Sequence, residues 1–130
     1  MPYDIKWIEE PWIMRVTYSG YVSTDDVNSV MEICVVEAEK HQINFLVEFA
    51  DFEGIDMKVW RVNQVMALMR NPNVRWFTII GMNPAIRMLS QLAMRFNMFK
   101  SFDTEEKALE FLYKMVDVQK QEKTDTGKNL

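Results

Sequence analysis

Residues 46–62 read LVEFADFEGIDMKVWRV, and the reading of the fold begins there. Phe45, Val47 and Phe49 alternate with Leu46, Glu48 and Ala50, the period-two pattern of a strand, predicted over residues 44–50. Asp51, Glu53, Gly54 and Asp56 then read as a tight acidic turn. From residue 57 the period changes. Val59, Val62, Met66 and Met69 recur at helical spacing to Arg70, with Trp60 off the apolar stripe. Strand, acidic turn and helix together make a unit that repeats along the chain.

Upstream, residues 3–8 and 12–18 alternate apolar and polar side chains and are separated only by Glu9-Glu10-Pro11, which predicts an antiparallel hairpin. Gly20 reads as the strand's end. Ser23-Thr24-Asp25-Asp26 then supplies an N-cap, because a short side-chain oxygen accepts from an orphan backbone N–H and the acids suit the positive helix end. The helix runs to about Lys40, with Val27, Val30, Met31, Cys34 and Ala38 as its buried stripe. Downstream, Asn71-Pro72-Asn73 stops the second helix and residues 74–80 form a strand. Asn83-Pro84 opens a further helix, residues 98–102 a short strand, and Asp103-Thr104-Glu105-Glu106 a last helix burying Ala108, Phe111, Leu112 and Met115.

The expected order is β-β-α-β-α-β-α-β-α, an α/β mixed sheet whose antiparallel entry hairpin leads into parallel βα units, with helices mainly on one face. Asp4, Lys6, Arg15, Glu48 and Arg75 fall on the polar side of their strands. The other face should therefore carry a mixed-charge ladder edged by Phe77 and Ile79, a candidate homodimer surface. One domain is expected over residues 1–119, and the polar residues 120–130 read as a disordered tail.

Composition narrows the function. The net charge of −4 argues against a nucleic-acid partner. The single cysteine excludes an intramolecular disulfide and a multi-cysteine metal site, and reads as a core residue. No run of about 18 apolar residues suggests a membrane span, and the N-terminus lacks a signal peptide's apolar region, so a cytoplasmic protein is the expectation.

Three stretches carry a resemblance: LVEFADFEGID running into a helix, TIIGMNPAIRMLSQLAMRF, and FKSFDTEEKALEFL. Over residues 3–115 the chain resembles the STAS fold of anti-sigma factor antagonists, and within it the stand-alone proteins of unknown function. The resemblance implies a regulatory protein-interaction module. It also implies a phosphorylatable serine at the start of the helix after the central strand. Aligning Glu48 and Asp56 with the family's two acidic positions puts Met57 and Lys58 where the serines belong, and no Ser, Thr or Tyr stands between Ser29 and Thr78. A phosphate switch needs a hydroxyl.

The candidate partner or ligand edge comprises Asp51, Glu53, Asp56, Lys58, Trp60, Asn83 and Arg87. Its acids could dock a basic partner, bind a divalent cation, or cap the following helix through Asp56; they lack the spacing of an EF-hand. The helix starts at Asp56 and Asn83, with Arg87 one turn on, offer donors to an anion, which the acids would repel. His41, the only histidine, follows a helix end and reads as a cap. Ser90 has no nucleophile elbow, and no glycine loop could cradle a phosphate. The expectation is no catalytic residue, no metal and no cofactor. The 11 methionines, among them Met57, Met66, Met69, Met82, Met88, Met94 and Met98, fill a core or line a groove for a small apolar, lipid-like ligand. A carrier or sensor of such a ligand is the alternative function.

Overall fold

The computed structural model describes residues 3–56, 58, 63–80 and 98–128. β1 (Tyr3–Glu9) and β2 (Ile13–Val22) form the expected antiparallel hairpin, with Tyr3 opposite Tyr18, Ile5 opposite Val16 and Trp7 opposite Met14. The Trp12 amide donates to the Glu9 carbonyl at 2.7 Å and closes the turn. β3 (Ile43–Ile55), β4 (Val74–Ile80) and β5 (Phe99–Phe102) then add in parallel, giving the spatial order β1-β2-β3-β4-β5. The described helices are α1 (Thr24–Lys40), α2 (Asn63–Arg70) and α3 (Glu105–Lys128).

Local chemistry sets the helix ends. The Ser23 hydroxyl accepts from the Asp26 amide at 3.1 Å, and the Asp26 carboxylate accepts from the Ser23 amide at 3.2 Å, a reciprocal capping box. Thr104 caps α3, its Oγ1 accepting from the Lys107 amide at 3.3 Å. The buried stripe of α1 is the one that helical spacing marks: Val27, Val30, Met31, Cys34 and Ala38.

The sheet carries a core on each face. On one side α1 and Leu68 of α2 pack against Met14, Val16, Tyr18, Phe45, Val47 and Ile79, with Tyr3, Ile5 and Trp7 at the margin. On the other side Ala108, Leu112 and Val116 of α3 pack against Ile13, Leu46 and Ile80. Full burial of such side chains contributes about 1.5–3 kcal/mol each. The Trp76 ring meets Phe111 edge-on, centroids 4.8 Å apart. Two of the three described helices thus share a face, while α3 covers part of the other.

Four expectations are corrected. Gly20 does not end β2. It takes φ +69, and the pairing slips from Ser19–Ala50 to Tyr21–Gly54. Glycine adopts this left-handed geometry without a Cβ clash, so the strand continues through a bulge. The acidic turn is correspondingly strand: β3 runs to Ile55, with Asp51 and Glu53 exposed and Phe52 half-buried between them. Phe77 and Ile79 do not edge the charged face; they belong to the α1-side core, and Trp76, Thr78 and Ile80 face α3. Finally, α3 continues to Lys128 in place of the tail expected from residue 120. Gln119 is buried there, and Lys120 and Glu122 pair with Glu9 and Arg75 at 2.7 and 3.2 Å. The expected helix start at Met57 and the helix opening at Asn83 lie outside the described residues.

Candidate interaction edge

The carboxyl ends of the parallel strands, at Val22, Ile55, Ile80 and Phe102, share one edge of the sheet. Four of the seven residues singled out from the sequence are described. Asp51, Glu53 and Lys58 are exposed and Asp56 is half-buried. Trp60, Asn83 and Arg87 lie outside the described residues. Asp56 bonds locally on both sides: its carboxylate accepts from the Lys58 amide at 2.9 Å, and its own amide donates to the Val22 carbonyl at 2.9 Å.

The bulge brings two strand ends together. Tyr21 is 53 % exposed and its ring lies against Gly54, where a Cβ would meet ring carbon Cδ2 at 3.3 Å. The Glu53 carboxylate lies over Gly20, 3.7 Å from the position a Cβ would take. An aromatic side chain open to solvent thus stands at the same strand end as the exposed acids Asp51 and Glu53. Tyr21 carries no motif of its own; the signal for it is Gly20 before it and Gly54 opposite, each leaving room for a neighbour's side chain.

A second polar cluster sits on the α3 side of the sheet. The Arg15 guanidinium donates through Nη2 to Glu48 and through Nη1 to Glu105 at 2.5 Å, tying β2, β3 and the first turn of α3 together. Arg15 Nε is buried and has no partner among the described residues. Asp4 and Lys6 lie 3.6 Å apart on the same face of β1. These are the residues of the expected charge ladder, with Arg75 engaged at Glu122 instead.

His41 ends α1. Its Nε2 is 3.0 Å from Glu37 and its Nδ1 is 3.1 Å from the Gln42 carbonyl, while its ring meets Trp7 at 6.0 Å between centroids. A pocket of about 230 Å³ lies beside it, lined by Pro11, Trp12, Lys40, His41 and Gln42. None of these lining residues carries a hydroxyl or thiol nucleophile. Cys34 is buried, and burial, with Glu37 adding, pushes its thiol up to about 12. Burial likewise drives the Tyr18 phenol above its ordinary range. Among the described residues, no three of His, Cys, Asp and Glu converge as a metal site would require, and no helix is long and apolar enough to cross a membrane. Of the methionines expected to fill a core or line a groove, Met57, Met82, Met88 and Met94 lie outside the described residues.

The family model described as SpoIIAA-like matches residues 13–113. The chain belongs to the SpoIIAA-like family. The match runs from the first residue of β2 into α3 and so spans both cores. Among solved structures, the chain is similar to an uncharacterised Shewanella loihica protein with a SpoIIAA-like fold, at 15 % identity and TM-score 0.63, covering 85 % of this chain and 91 % of that one. It is similar too to the anti-sigma factor antagonist SpoIIAA in its unphosphorylated form, at 14 % identity and TM-score 0.65, covering 85 % and 97 %. The phosphorylated form of SpoIIAA, the Bacillus cell fate determinant, matches at 13 % identity and TM-score 0.60, covering 85 % and 98 %. At these identities the likeness is one of fold. Among curated proteins, none matches the chain.

Proposed function

We propose that this protein is a non-catalytic regulatory module of the SpoIIAA-like family, acting in the cytoplasm as a homodimer that docks a protein partner. The docking surface is the edge formed by Tyr21, Asp51, Glu53, Asp56 and Lys58, and the partner presents a basic surface to it. The observation that carries this reading is Tyr21, an exposed aromatic seated on Gly54 at a strand end that also exposes Asp51 and Glu53. Tyrosine supplies large contact area at little entropic cost and is enriched among residues that dominate interfaces. These acids would steer and orient a cationic partner.

We further infer that docking is not switched by phosphate within this segment. SpoIIAA has been solved with and without phosphate. Here no Ser, Thr or Tyr stands between Ser29 and Thr78, and the resemblance places Met57 and Lys58 at the family's serine positions. Without a hydroxyl there is no acceptor for the phosphoryl group.

The test is quantitative affinity capture from the protein's own cells with tagged wild type, Tyr21→Ala, the double variant Asp51→Lys/Glu53→Lys, and Glu32→Lys as a control on the exposed side of α1. The same captured protein should fall about ten-fold with both edge variants, the effect of losing one interface anchor, and should stay at wild-type level with Glu32→Lys. Equal recovery from all four, with circular dichroism unchanged, overturns the reading.

A further inference from the structure

β1 is an edge strand. It pairs with β2 on one side, and among the described residues no strand pairs with its other side. An open strand edge is a template for another chain unless its side chains oppose pairing. The side chains of β1 do the reverse. The run Tyr3-Asp4-Ile5-Lys6-Trp7 is symmetric in kind about Ile5: aromatic, charge, apolar, opposite charge, aromatic. An antiparallel second copy centred on Ile5 would place Asp4 opposite Lys6 and Lys6 opposite Asp4 on one face. On the other face, Tyr3 would meet Trp7 and Ile5 would meet Ile5. Cross-strand neighbours of these kinds, opposite charges and paired aromatics, stabilise a ladder. A shift by two residues in either direction breaks the charge pairing, so the register is specified by the sequence itself.

A second observation points the same way. α1 packs against β1 and β2 on the core side of the sheet. Its flank towards β1 is identified by Glu37, which reaches His41, whose ring lies against Trp7. Ile33 stands one turn before Glu37 on that flank and is 42 % exposed. Two copies joined along β1 would bring their α1 helices side by side and cover this apolar group.

We infer that the protein self-associates through β1, antiparallel about a two-fold axis at Ile5, forming one continuous ten-stranded sheet with α1 helices flanking the seam. This rests on the homodimer proposed above and gives it a surface. Such an interface is isologous, each copy contributing the same strand and closing the sheet's longer open edge.

Charge exchange tests it, because Asp4 and Lys6 are both exposed and substitution leaves the core untouched. Asp4→Lys opposes Lys6 with a lysine at both ends of the seam; Lys6→Asp opposes Asp4 with an aspartate. In sedimentation velocity each single variant should weaken self-association about ten-fold. The double variant Asp4→Lys/Lys6→Asp should restore it. An equimolar mixture of the two single variants should also restore it, as a heterodimer, since each mismatched strand is complementary to the other. A wild type that stays monomeric to about 100 µM, near the affinity range of weak complexes, overturns both the surface and the homodimer reading. A dimeric wild type whose single variants associate equally well overturns the β1 surface alone. So does a pair of weakened variants that the mixture and the double exchange fail to rescue.

Discussion

Cys34 shows how one side chain's surroundings fix its chemistry. Its place in the α1 stripe buries the thiol, and burial raises its pKa from 9.0 to about 12. At neutral pH the group is therefore a small apolar filler, and native protein should resist a thiol reagent that labels the unfolded chain readily. The same shift makes stability depend on alkaline pH. The unfolded thiol gives up its proton near 9 while the folded one holds it to about 12, so the folded state binds more protons in that window. Stability is fully present below pH 9 and falls as pH rises towards 12, at a limiting slope of about 1.4 kcal/mol per pH unit. The buried Tyr18 phenol acts in the same direction above its own ordinary range, so the comparison must isolate the thiol. Urea unfolding of wild type and Cys34→Ala at pH 8, 9, 10 and 11 does this. The wild type's advantage over the variant should shrink steadily above pH 9, and a constant difference would show that the thiol does not titrate between the two states.

At the scale of elements, α3 depends on a contact that no local pattern announces. Gln119 and Asn44 are both buried and bond each other reciprocally, at 2.8 and 3.1 Å. Asn44 also donates to the Trp12 carbonyl at 3.0 Å and accepts from the Trp76 amide at 3.2 Å. One asparagine side chain on β3 thus links the turn before β2, β4 and α3. Removing Gln119 leaves the Asn44 amide short of partners in a closed space, which costs about 1–3 kcal/mol before lost packing is added. Gln119→Ala should accordingly lower urea-derived stability by about 2–4 kcal/mol, whereas Gln121→Ala, exposed two residues on, should change it by less than about 0.5 kcal/mol. Equal effects would mean that the buried pair does not anchor the helix. The contrast explains what could be read from the chain alone. The α1 stripe and the entry hairpin were legible because their apolar residues repeat at the periods of a helix and a strand. The run from Lys120 was not, because what holds it is distant in sequence: Gln119 just before it is buried by a partner 75 positions away, and Lys120 and Glu122 pair with Glu9 and Arg75. The extension of β3 was legible in part: Asp51 and Glu53 alternate with half-buried Phe52. The acids and Gly54 nonetheless read as a turn, because a bulge depends on the register of the neighbouring strand. At the candidate edge, the acids were legible from residue type, but Tyr21 was not, since its seat on Gly54 exists only once β2 and β3 are paired.

Across the whole molecule, stability should grade along the sheet. The first five residues of β3, Ile43–Val47, are buried without a break, between α1 on one face and α3 on the other. β1 alternates exposed and half-buried residues and has a ladder on one side only. Segments that bury little and leave backbone groups to solvent open locally, well below the cost of global unfolding. In native-state hydrogen exchange the amides of Phe45, Leu46 and Val47 should therefore exchange slowest, through global unfolding, and those of β1 faster. The self-association proposed for β1 would add a second dependence, because binding that closes the edge protects it by mass action. Raising the protein concentration from about 1 to about 100 µM should slow exchange at Asp4, Ile5 and Lys6 more than at Ser101 in β5, the short edge strand on the opposite side. The Asp4→Lys variant should show no such concentration dependence in β1, while its β3 amides keep wild-type protection. A concentration effect spread evenly over both edges would indicate association elsewhere on the molecule. Its absence in the wild type would leave β1 an ordinary solvated edge, guarded by the charges of Asp4 and Lys6.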